Sequence, residues 1–132
     1  MFKIFTIKES ADWDKIVESF PNYDIYYLSG YLKAFEIHGD GDSSLVYYEG
    51  DGLRGICAFM LRNIADIDWT EGIAKGQYFD AVTPYGYGGW LMEGNCSEEN
   101  LNGFWKEYEA FMKIRSSIKS PAGRVIFLPS FF

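Results

Sequence analysis

The sequence predicts a single α+β domain built on a mixed, largely antiparallel sheet with helices on its faces. Three observations predict it. A first strand is followed by two short segments of helical period. A β-rich hairpin and further strand-like segments come next. The chain then runs through a strong amphipathic helix into one more strand, a crossover that brings parallel pairing into the sheet. The 132 residues fit one domain, 1–132.

Phe2 to Ile7 alternates and reads as the opening strand. Ser10 is placed to cap a helix whose apolar positions Trp13, Ile16, Val17 and Phe20 recur at helical spacing, with Pro21 as its stop. Ser29 is placed to cap a second helix that turns Leu32, Phe35 and Tyr31 inward and ends at Gly39. Leu45–Tyr48 and Leu53–Arg62 flank the turn material Glu49-Gly50-Asp51-Gly52 and form a hairpin. Residues 63–77 show no clean period and read as a loop or a hairpin extension. Tyr78–Val82 is a short strand that runs into the glycine-rich stretch Thr83–Trp90. Ser97 caps the clearest helix, with Leu101, Phe104, Trp105, Tyr108, Phe111 and Met112 on one stripe. Pro121-Ala122-Gly123 breaks it, and Arg124–Leu128 is the last strand.

Aromatic residues make up 19% of the chain, enough for a sizeable core and incompatible with bulk disorder. No apolar run is long enough to span a bilayer. The start, Met1-Phe2-Lys3-Ile4-Phe5, lacks the apolar core of a signal peptide, so the expected location is cytoplasmic. The formal charge of −7 argues against sequence-independent nucleic-acid binding, which needs an excess of Lys and Arg. All nineteen acidic residues lie in 1–109, while 110–132 holds Lys113, Arg115, Lys119 and Arg124 and no acid. The segment 110–132 is therefore atypical of the rest.

Few residues carry chemistry on their own. Cys57 sits in the apolar run Ile56–Phe59 and reads as a small buried hydrophobe. Cys96 lies beside a helix cap with no evident base. Two cysteines support neither a disulfide framework nor a zinc site, and no metal is expected. His38, the only histidine, reads as a residue at a helix C-terminus. Asp66 and Asp68 read as a solvated edge. No catalytic residue is assigned.

The informative segment is Thr83-Pro84-Tyr85-Gly86-Tyr87-Gly88-Gly89-Trp90. Three glycines in four positions let backbone approach a ligand with N–H groups exposed, and Tyr85, Tyr87 and Trp90 would line a pocket wall. The bland alternative is a tight bend with aromatics packed at its rim. The spacing is neither a dinucleotide fingerprint nor a phosphate-binding Walker loop.

With Asp24–Phe35 and the 45–62 hairpin, the Phe79–Gly89 segment resembles the N-terminal half of a Fem-type aminoacyltransferase, a peptidoglycan bridge-forming relative of the GNAT N-acyltransferases. The resemblance covers most of residues 20–112, and Thr83–Gly89 is its most specific part. It implies a partial GNAT-like fold, the first of two such units. It also implies a substrate cleft faced by Thr83, Tyr85, Gly86, Tyr87, Gly88 and Gly89. The implied acyl donor is acetyl-CoA or an aminoacyl carrier, and the implied ligand is a small molecule or peptidoglycan precursor. Such proteins continue through an acidic stretch to an Arg-Phe-His-Pro-like motif, absent here. The expectation is a shortened or frame-shifted member, inactive alone. The alternative is a non-catalytic ligand-binding or dimerisation remnant. A homodimer is expected through the C-terminal strand Arg124–Leu128 or the Phe131-Phe132 end, since open sheet edges and apolar tails seek partners.

Overall fold

The computed structural model describes residues 1–117 and 124–125. Its strands are β1 (Phe2–Thr6), β2 (Asp42–Gly50), β3 (Leu53–Asn63), β4 (Tyr78–Val82), β5 (Leu91–Gly94) and β6 (Arg124–Val125). Its helices are α1 (Ser10–Glu18), α2 (Ser29–His38) and α3 (Glu98–Ser117). The strands form one sheet in the order β1-β2-β3-β4-β6, with β5 also beside β3. All pairings are antiparallel except β4 with β6, which α3 connects. The α+β class and the largely antiparallel sheet are as expected. The rest of the expected last strand, 126–128, lies outside the described residues.

Both early helices start differently from expectation. The chain enters α1 through a short 3-10 turn, Ile7–Glu9, and the Thr6 N–H donates to the Glu9 carboxylate at 3.0 Å. This capping pair moves the cap one turn earlier, so Ser10 is already helical. Ser29 is likewise the first residue of α2 rather than its cap. Its N–H and hydroxyl both donate to Asp14 of α1, each at 2.8 Å. A carboxylate from another helix thus satisfies the free N–H of Ser29 at the start of α2, and the Ser29 hydroxyl donates to that carboxylate instead of accepting as a cap. Beside it, the Trp13 indole N–H donates to the Tyr27 carbonyl at 2.7 Å. At the far end Gly39 adopts φ 101°, a left-handed stop that glycine takes without strain.

Strand alternation then builds a core on each face. On one, Phe5, Leu45, Ile56, Ala58 and Met60 meet Trp13, Val17 and Phe20 of the α1 segment and Leu32 of α2. On the other, Tyr48 and Leu53 pack with Phe104 of α3, next to Val46, Cys57, Phe59 and Ala81. Burying each large apolar side chain contributes roughly 1.5–3 kcal/mol, so the two faces together hold the layers in place. Ser97 caps α3 as expected, accepting from the Asn100 N–H at 3.3 Å. Among the described residues no helix is long and apolar enough to cross a membrane.

Candidate functional site

The glycine-rich stretch interrupts a strand. Val82, the last residue of β4, pairs with Met60, and Leu91, the first of β5, pairs with Ile56. Both strands run antiparallel to β3, so they are two halves of one line broken by residues 83–90. Nine steps along the broken strand span four along β3. The surplus chain bulges out opposite Cys57, Ala58 and Phe59, which pair with β2 and have no partner in β4 or β5. The strand β5 was not expected from sequence, where 83–90 led directly toward the helix.

The bulge opens with a 3-10 turn at Pro84–Gly86, closed by the Tyr87 N–H donating to the Pro84 carbonyl at 3.1 Å. Gly86, Gly88 and Gly89 have φ of 73°, 134° and 102°, values that side chains disfavour. Gly88 is doubly constrained, because a Cβ there would stand 2.9 Å from the Thr83 methyl. Thr83 is half-buried against this glycine, and Gly86 and Gly89 face open space. Tyr85 contributes backbone to the turn, and its ring lies outside the described side chains.

Tyr87 is 55% exposed and stacks on Tyr26, with ring centroids 4.7 Å apart and planes 7° from parallel. Tyr26 belongs to a 3-10 turn, Ile25–Tyr27, just before α2. It meets Tyr31 edge-on at 5.3 Å, and Tyr31 meets Phe35 at 5.1 Å. Tyr26 falls within the resembling stretch Asp24–Phe35, and nothing local in the sequence places it at the loop. Trp90 takes the opposite course. Instead of lining a pocket wall it turns under α3, edge-on to Phe104 at 4.8 Å and Tyr108 at 5.6 Å. Gly55 makes room for it, since a Cβ there would meet the Trp90 ring at 3.3 Å and collide with the Met92 sulfur. The Trp90 indole N–H is buried without an acceptor among the described residues.

The titratable groups of the neighbouring strands are committed elsewhere. Asp80 of β4 is buried and accepts from Arg62 Nε at 2.9 Å, an ion pair whose hydrogen bonding holds the guanidinium firmly charged. Burial pushes the Cys57 thiol up to about 12, and it behaves as the buried hydrophobe expected. Burial also raises the Tyr27, Tyr48 and Tyr108 phenols. His38 closes α2 and contacts Asp40 at 2.9 Å, and Asp66 pairs with Lys75 at 3.3 Å on the surface. The Gly86 and Tyr87 N–H groups are engaged within the turn, so the loop offers the backbone at Gly88 and Gly89, the Thr83 hydroxyl and an aromatic face, a set suited to binding a group rather than moving a proton. No protein-family model, curated protein or solved structure matches the chain.

Proposed function

We propose that the chain is an acyltransferase-type binding unit of the Fem and GNAT kind, with Thr83–Gly89 receiving an acyl- or amide-bearing group. The broken strand carries this reading. A sheet gives up ladder pairing at its centre only where something else is gained, and bulges of this kind re-aim backbone at binding sites. The parallel β4–β6 pair makes the sheet mixed, which is compatible with the partial GNAT-like fold of this reading. The donor side would take acetyl-CoA or an aminoacyl carrier, and the other ligand a small molecule or peptidoglycan precursor. Binding is the part of that activity proposed for this chain; Asp80 and Cys57, titratable groups of the strands beside the loop, are engaged in the ion pair and the core.

Titration calorimetry with acetyl-CoA and with a muramyl pentapeptide precursor tests the proposal. Wild type should bind one of them, and Gly88→Val, forced against Thr83 at a φ of 134°, should lose at least tenfold in affinity while melting as a folded protein. No binding of either probe by wild type would remove the reading, as would steady acyl transfer the binding-only part of it.

A second reading, self-association, is favoured by one observation: among the described residues β6 pairs with β4 alone. Its other side has no strand beside it among the described residues, and the apolar segment 126–132 that follows lies outside them. Pairing of two copies about a twofold axis would cover such an edge. Sedimentation equilibrium at micromolar concentration should give twice the chain mass of 15.1 kDa, and a species at that mass would refute the dimer.

A further inference from the structure

We infer that Tyr26 is a positioning residue for the loop site and Tyr87 the ring that meets the ligand. The inference rests on the binding reading above and adds residues and a mechanism to it. Tyr87 lies between Gly86 and Gly88, both at positive φ, and its N–H closes the turn on the Pro84 carbonyl, which holds its backbone and leaves the direction of its ring to side-chain contacts. More than half of its surface is open to solvent. What restrains the ring is the nearly parallel stack on Tyr26 at 4.7 Å. That contact continues inward, because Tyr26 is braced by Tyr31 and Tyr31 by Phe35. Both of these α2 residues pack against the core formed by Leu32, Trp13 and the sheet. A row of rings therefore carries the rigidity of the core out to the tip of the loop.

Such a row presents Tyr87 to a ligand already ordered. Without it, the ring would have to be immobilised on binding, and the entropy of doing so would be subtracted from affinity. Aromatic pairs of this geometry are worth enough to make that a loss of about three- to tenfold. The interaction depends on the ring and not on its hydroxyl, so phenylalanine should replace Tyr26 and alanine should not.

The test compares Tyr26→Phe, Tyr26→Ala and Tyr87→Ala with wild type, using whichever of acetyl-CoA and the muramyl pentapeptide precursor binds. Tyr26→Ala and Tyr87→Ala should weaken binding by about three- to tenfold, and Tyr26→Phe by less than about twofold. In Tyr26→Ala the ring-current shift on the Tyr87 resonances should vanish while the amides of the sheet stay in place. A failure of wild type to bind either probe removes the loop site and this inference with it. Binding by wild type and equal binding by Tyr26→Ala overturns this inference alone and leaves the loop site standing.

Discussion

At the residue scale, chemistry and conformation were legible where they depend on near neighbours. The left-handed φ of the loop glycines follows from their crowding in the sequence, and the burial of Cys57 from its apolar run. The two thiols should differ accordingly. Exposed Cys96 should react with a disulfide reagent at once, and Cys57 only on unfolding; rapid reaction of both would contradict the packing. The same burial has an alkaline consequence. The Cys57 pKa is raised from 9.0 to about 12, so the folded state holds this proton more tightly than the unfolded state. Its contribution to stability is complete below about pH 9 and is lost as the pH rises toward about 12, with a slope approaching 1.4 kcal/mol per unit. Denaturation midpoints measured across that range should fall, and Cys57→Ala should flatten the fall. The Tyr26–Tyr87 stack was not legible, because its partners are far apart in sequence and nothing local marks either one.

At the scale of elements, type was easier to read than ends. The amphipathic period of α3 and the alternation in β2 and β3 persist long enough to be unambiguous. The cap of α2 was misplaced because its acceptor, Asp14, comes from α1, and a tertiary partner leaves no sequence-local signal. Asp14→Ala should cost about 1–2 kcal/mol by leaving the Ser29 donors unserved, measured as a shift in urea midpoint. Asp14→Asn, which keeps one acceptor oxygen, should recover part of it. A change within experimental error for Asp14→Ala would mean that water serves Ser29 equally well. β5 escaped notice for a different reason: Leu-Met-Glu-Gly is short and holds no β-branched residue, so only its pairing to Leu53–Ile56 makes it a strand.

At the scale of the whole molecule, the order of strands and helices apart from β5 follows from the sequence, while the register does not. That β4 and β5 lie on one line against β3 depends on which residues pair, and the pattern of apolar residues says nothing of the surplus chain between them. The function proposed depends on that register, because a loop joining two unrelated strands would carry no implication of a site. The most direct test follows the backbone amides by NMR while acetyl-CoA or the muramyl pentapeptide precursor is added. Shifts should centre on Gly86, Tyr87, Gly88, Gly89 and Ala58, with smaller changes at Tyr26 and none along β1. Shifts centred elsewhere, or none at millimolar ligand, would contradict the claim that the broken strand is where this protein binds.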